Sequence, residues 1–239
     1  MTRLGDLELG AVPRIAVAIT DADLPSASAW APLTDVIELR VDLCTRRDAA
    51  AAVELARAAQ ELGKPLVATV RWSAEGGGGE LSDAARLALY DALAPLADGL
   101  DVELASTLCG RVVGLARQHG KLAIVSAHDF SATPSPEELA ARLADGTARG
   151  DVVKIAATAS DAGDLARLFD LLRAPGGPRI VIGMGTHANA SRVFFPLLGS
   201  LLTYSFAGTP TAPGQLGLTE LYDALRQFSP AFAATHAAR

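Results

Sequence analysis

The chain has 239 residues, half of them hydrophobic and 5% aromatic, with a formal net charge of −6. That length and apolar content suit one large α/β domain. The acidic balance, with no long basic run, argues against nucleic acid or an anionic membrane surface as partner. The two cysteines, Cys44 and Cys109, are too few for a disulfide framework and sit in apolar settings, which points to a reducing cytoplasm. Residues 1–10 carry Asp6 and Glu8 and no apolar run, so they do not read as a signal peptide. No stretch reaches the roughly 18 apolar residues of a membrane span.

Short β-rich runs alternate with amphipathic runs rich in Ala, Leu, Arg and Glu. In chain order, strands are predicted over 14–19 and 36–41, a helix over 48–62, a strand over 66–71 and a helix over 81–96. Strands over 99–104 and 121–126 follow, then a helix over 135–143, a strand over 151–156 and a helix over 161–172. A strand over 179–183, a helix over 189–198, a strand over 201–206 and a helix over 216–228 complete the pattern. Ser135-Pro136-Glu137-Glu138 offers an N-cap, a first-turn proline and early acids, and Ser82 or Asp83 caps an earlier helix. Gly63 and Gly120 stand where helix C-caps are expected. Eight strand–helix repeats with short connections predict an α/β fold: a closed (β/α)₈ TIM barrel, residues 1–239, one catalytic domain. An open doubly wound sheet is the alternative reading of the same pattern.

Side chains alternate faces along a strand. In Val36-Ile37-Glu38-Leu39-Arg40-Val41-Asp42, the charged set Glu38, Arg40 and Asp42 shares one face and the apolar set the other. Asp101 and Glu103 share a face against apolar alternates, and Lys154 opposes Val153 and Ile155. A parallel barrel strand packs its outward face on helices and needs it apolar. The charges of Glu38, Arg40, Arg71, Glu103 and Lys154 therefore point inward or lie at the mouth, forming a polar pocket of both signs. Pairs such as Glu38 with Arg40 or Arg71 also read as a structural plug under a site. Active sites of barrels fall at strand C-termini.

At these positions the sequence resembles a known family. The segments that carry the resemblance are Glu38-Leu39-Arg40-Val41-Asp42, Thr69-Val70-Arg71 with Glu75-Gly76-Gly77, Asp101-Val102-Glu103-Leu104 and Ser126-Ala127-His128-Asp129-Phe130. Val153-Lys154-Ile155-Ala156, Met184-Gly185 with Ser191-Arg192, and Ala212-Pro213-Gly214-Gln215 continue it in family order. Together they resemble type I 3-dehydroquinate dehydratase, from about Arg14 to Phe228. Three positions depart from the family pattern: Thr211 stands where Ser is usual, Ile182 where Met is common, and Tyr204 where Phe is common.

The resemblance implies a hydro-lyase of the shikimate pathway or of quinate breakdown, acting on the small molecule 3-dehydroquinate as a homodimer in the cytoplasm. It implies Lys154 as the Schiff-base lysine and His128 as the catalytic histidine, with Glu38, Arg40 and Arg71 as ring-hydroxyl contacts. The chemistry fits these residue types. Dehydrating a β-hydroxy ketone means removing a weakly acidic α-proton, and a protonated lysine imine draws electrons from that carbon. Lys154 must be neutral to attack, and burial among Val152, Val153 and Ile155 is expected to lower its pKa; the pattern alone also admits a snorkelling lysine. His128 is the candidate general acid and base. Glu75 is a candidate to orient it, or else a solvated loop carboxylate. Arg192 is a candidate bidentate clamp for a substrate carboxylate, with Thr211 and Gln215 beside it. Met184 is expected on the apolar floor. The 76–79 glycine run reads as a closing loop or as a plain connection.

His119 and His236 read as surface residues, and His187 is left open. The four histidines lack metal-ligand spacing, so no metal and no cofactor are expected. Gly183-Met184-Gly185-Thr186-His187-Ala188 matches G-x-G-x-x-A, too late in the chain for a dinucleotide fingerprint. A phosphate site there would instead fit a class I aldolase acting on a phosphorylated sugar through Lys154. A catalytically silent sensor of quinate-like or shikimate-like acids is the third reading, which would be expected to lack Lys154 or His128.

Overall fold

The computed structural model describes residues 1–185, 187–212 and 214–237. The chain begins with an antiparallel hairpin, β1 (Thr2–Leu4) and β2 (Leu7–Leu9), which residues 1–10 had not suggested as a strand pair. Its leucines are the reason it forms: Leu4 and Leu9 are buried and plug the N-terminal end of the barrel against Val36, Val67, Ile124 and Val152. Gly99 accommodates the plug, since a Cβ there would lie 2.9 Å from Leu4 Cδ1.

Eight parallel strands follow: β3 (Ile15–Ile19), β4 (Val36–Arg40), β5 (Leu66–Thr69), β6 (Gly99–Glu103), β7 (Leu122–Asp129), β8 (Val152–Thr158), β9 (Arg179–Met184) and β10 (Thr203–Phe206). Their order is β10-β3-β4-β5-β6-β7-β8-β9. Between β9 and β10 the ladder gives way to a seam, where Leu201 N–H donates to Arg179 O at 3.0 Å and Val181 N–H donates to Ser200 Oγ at 3.0 Å. The seam wraps the sheet into a nearly closed barrel and disposes of the open-sheet alternative.

Helices α1 (Ala27–Trp30), α2 (Ala49–Gln60), α3 (Asp83–Leu93), α4 (Cys109–Gln118), α5 (Pro136–Arg149), α6 (Ala162–Arg173), α7 (Ala188–Leu197), α8 (Leu218–Phe228) and α9 (Pro230–Thr235) surround it. Among the described residues, no helix is long and apolar enough to cross a membrane. The caps are those the sequence predicted: Ser82 accepts from Ala85 N–H, and Ser135 and Glu138 form a reciprocal capping box behind Pro136. Gly63 and Gly120 adopt φ of +65° and +64° at helix ends, where a Cβ would be strained.

Most boundaries moved by one to three residues, and two elements run well past their predicted ends. α5 runs past the predicted residue 143 to Arg149 because Gly146 is a packing requirement rather than a breaker: a Cβ there would meet Val153 at 2.9 Å. β7 continues to Asp129 because its ladder with β8 extends through His128 opposite Ala156, which places His128 on a strand. The face assignment holds. Ile37, Leu39, Val153 and Ile155 pack in the layer between barrel and helices, while Glu38, Arg40, Glu103 and Lys154 are buried on the other side of their strands.

His236, read from the sequence as a surface residue, is 1% exposed. α9 folds under the N-terminal end of the barrel and sets His236 Nε2 2.9 Å from Asp35 Oδ1, its Nδ1 2.9 Å from Phe232 O, and its ring 4.0 Å from that of Phe232. His236→Ala is expected to cost about 3 kcal/mol, less whatever Arg14 and the Ile15 N–H recover at Asp35. Urea denaturation measures it, and a loss near zero would show that the contact does not hold the C-terminal helix.

Candidate active site

At the C-terminal ends of the strands lies a pocket with a cavity volume of about 50 Å³. All ten residues predicted for the site line it: Glu38 and Arg40 from β4, Arg71 and Glu75 beyond β5, His128 from β7, Lys154 from β8, Met184 from β9, Arg192 from α7, and Thr211 and Gln215 beyond β10. Gly76, Phe130, Ala156, Ile182, Tyr204 and Ala212 complete the lining.

The floor is an ion network. Lys154 Nζ donates to Asp101 Oδ2 at 3.0 Å and to Glu38 Oε1 at 3.3 Å, and Glu38 also accepts from Thr69 Oγ1. Arg71 is enclosed by Asp101, Glu103 and Ser126 at 3.1, 2.9 and 2.7 Å, and Arg40 is bound side-on by Asp42 at 2.9 and 2.7 Å. The pairings thus differ from the plug imagined from sequence: Glu38 serves the lysine, Arg40 takes Asp42 two residues along, and Arg71 takes Asp101 and Glu103 of β6. The expected lowering of the Lys154 pKa is also overturned. Desolvation does act to lower it, but the charges of Asp101 and Glu38 outweigh burial and hold the amine protonated, above its ordinary range. A snorkelling lysine is excluded as well, since the whole residue is buried at 4% exposure.

On the side wall, Glu75 Oε2 accepts the His128 backbone N–H at 2.9 Å and lies 3.0 Å from His128 Nδ1. Glu75 therefore faces the histidine rather than solvent. Burial, then the neighbouring Arg71 and Lys154 charges, push His128 well below the usual imidazole range, so its ring is neutral at neutral pH. With Nδ1–H donated to Glu75, the unprotonated nitrogen is Nε2, the form a base requires. Two glycines allow this approach. Gly76 has φ +82° and a Cβ on it would overlap the Phe130 ring at 2.5 Å, and a Cβ on Gly77 would meet Arg71 O at 2.2 Å. The 76–79 run is further tied down by Gly78 N–H donating to Asp42 and Arg47 donating to Gly78 O, each at 3.0 Å.

Burial raises the Glu75 carboxyl to about 7. The ionised form accepts the Nδ1–H, so kcat/KM is expected to rise with pH through about 7 as Glu75 loses its proton. Glu75→Gln should flatten that limb. A pH–rate profile checks this, and a limb that survives in the variant would belong to another group.

The opposite end is cationic. Arg192 is 2% exposed; its Nη1 donates to Tyr204 O at 3.0 Å and its Nε to Gly214 O at 3.2 Å. Among the described residues no carboxylate pairs with it, and burial lowers its pKa to about 10. Gln215 Oε1 accepts from Thr211 N–H and Ala212 N–H at 2.7 and 3.2 Å, closing the turn beside it. Pro213 of that segment and Thr186 of the glycine motif lie outside the described residues. His187 is exposed and is not part of the lining, as is His119. Sequence reasoning gave no site role to Asp101, Asp42 or Phe130, although the strand parity that found Lys154 also marked both aspartates.

Comparison with known proteins agrees with this geometry. The family model described as Type I 3-dehydroquinase matches residues 15–230. A 3-dehydroquinate dehydratase of Methanocella arvoryzae is 34% identical over 90% of this chain and 96% of its own length. One from Methanosarcina acetivorans is 35% identical over 92% of this chain and 97% of its own. The crystal structure of the 3-dehydroquinate dehydratase from Aquifex aeolicus superposes with a TM-score of 0.81 at 30% identity, covering 91% of this chain and 99% of that one. Matched along nearly its whole barrel by model, sequence and structure, the chain belongs to the type I 3-dehydroquinase family.

Proposed function

We infer that this chain is a 3-dehydroquinate dehydratase, a hydro-lyase that removes water from 3-dehydroquinate to give 3-dehydroshikimate through an imine on Lys154. The observation that carries the reading is a buried lysine, a neutral imidazole and an arginine that no described carboxylate pairs with, all around one cavity. Lys154 attacks the ketone after giving up a proton. The imine then makes the neighbouring C–H acidic, and His128 Nε2 takes that proton. The electron pair forms the C=C bond as the β-hydroxyl leaves, protonated by the same histidine, and hydrolysis returns the lysine. Glu75 keeps His128 in the right tautomer, Glu38, Arg40 and Arg71 face the ring hydroxyls, and Met184 supplies part of the apolar side. Arg192, with Thr211 and Gln215, receives the carboxylate.

Formation of the enone chromophore from 3-dehydroquinate, with borohydride trapping of substrate on a Lys154 peptide, tests the reading; no turnover by folded protein would sink it. An aldolase of phosphorylated sugars and a silent sensor are not favoured by the family membership. We further propose one catalytic domain acting as a homodimer in the cytoplasm, where the buried thiols of Cys44 and Cys109 stay reduced. Light scattering tests the dimer.

The free end of the Arg192 fork gives a sharper expectation. Arg192→Ala should raise KM roughly 10²-fold, the equivalent of one lost charge-assisted contact, with a smaller loss in kcat. Arg192→Lys should recover part of it, since an ammonium cannot reproduce the planar fork. A variant that loses kcat at unchanged KM would place Arg192 in the chemistry instead.

A further inference from the structure

The apolar side of the cavity, with Ala156, Ile182, Met184 and Tyr204, belongs to the inner core of the barrel. Tyr204 breaks its chemistry. It is 4% exposed, and its buried hydroxyl makes no well-formed hydrogen bond among the described residues: the Lys154 ammonium within reach is a donor, and the phenol's own O–H has no acceptor. A buried O–H left without an acceptor lowers the stability of a folded chain, so its presence here needs a use. Lys154 Nζ lies over the Tyr204 ring, 4.1 Å from its centre, so the phenol and the nucleophile pack against each other. Burial, against the opposing charge of Lys154 and with the Glu38 and Asp101 carboxylates, raises the phenol well above its usual range and keeps it protonated, hence a donor.

When an amine adds to a ketone, the oxygen stays on the carbon that the nitrogen has joined, and it gains negative charge as the C=O bond opens. That oxygen therefore develops among the groups packed around Nζ. Two of them, Asp101 and Glu38, are carboxylates that bond Nζ as acceptors and would repel it. A neutral donor packed against Nζ is what such an oxygen requires.

We propose that Tyr204 is a further catalytic residue, whose hydroxyl donates to the substrate's ketone oxygen and then to the carbinolamine hydroxyl formed at Lys154. The proposal rests on the imine reading above. In the step, the C–N bond forms and the C=O π pair moves to oxygen. That oxygen takes one proton as the nitrogen gives one up, then leaves as water with a second. Ammonium and ketone thereby become protonated imine and water, and Tyr204 keeps its own proton throughout.

The test is Tyr204→Phe, which retains the ring over Nζ and deletes only the hydroxyl. Wild type and variant are mixed rapidly with 3-dehydroquinate, quenched into borohydride at successive times, and the Lys154 adduct is quantified by mass spectrometry. Adduct formation is expected to slow roughly 10- to 100-fold, the effect of removing a donor to a developing oxyanion, while Tm stays the same or rises. Adduct formation within twofold of wild type overturns the proposal. So does slowing accompanied by a fall in Tm, which would mark a structural role, or a raised KM at an unchanged trapping rate, which would mark ground-state binding. Absence of any adduct in wild type that still dehydrates the substrate would instead overturn the imine reading itself.

Discussion

Lys154→Ala is expected to lower kcat by on the order of 10⁴–10⁶-fold, the scale seen when a covalent nucleophile is deleted, and to abolish borohydride trapping. Without the imine, the carbon to be deprotonated loses its main electron sink. The substitution has a structural cost too. Asp101 and Glu38 lose their shared cation, and breaking a buried pair by removing one partner costs about 3–5 kcal/mol, moderated here because Arg71 remains 3.1 Å from Asp101. Lys154→Arg separates the two effects, since a guanidinium answers the carboxylates but does not form an imine. It should be nearly as stable as wild type and inactive. Circular dichroism establishes folding and the enone assay establishes turnover; normal turnover by a folded Lys154→Ala protein would falsify the mechanism.

His128→Ala is expected to reduce kcat by roughly 10²–10⁴-fold, the range of general acid–base catalysis. Unlike the lysine variant, it should still accumulate adduct at Lys154, because elimination and imine hydrolysis both wait on proton transfer. Trapping therefore distinguishes the two residues: none in Lys154→Ala, a larger fraction in His128→Ala. The neutral imidazole, held by Glu75 at 3.0 Å through Nδ1, underlies this expectation. If His128→Ala raises KM and leaves kcat intact, His128 binds substrate and another group moves the proton.

Much of this was legible in the linear chain because it depends on local periodicity. Strand alternation put Glu38, Arg40 and Lys154 inside a barrel whose outward faces are apolar, and motif order along the chain named ten of the sixteen residues that line the cavity. Caps at Ser82 and Ser135, and the glycines closing helices at Gly63 and Gly120, are likewise properties of a few adjacent residues. Such features are decided within one turn or one pleat.

Charge state and partnership are decided elsewhere. Lys154 and Glu38 are 116 residues apart, and His236 and Asp35 are 201 apart. Nothing in the spacing of either pair announces the contact. The sequence pointed to burial as the force on Lys154, and burial alone would lower its pKa. Closure of the barrel brings Asp101 and Glu38 within 3.3 Å, and at that range in a dry interior their attraction outweighs desolvation. Arg192 shows the converse: the fold buries a cation and, among the described residues, pairs it with no carboxylate. Side-chain identity and strand parity set which groups enter the barrel. Which of them neutralise one another, and which stay open to a ligand, follows from distances that exist only after eight strands have closed around them, because electrostatic energy depends on separation and solvent exclusion rather than on order along the chain.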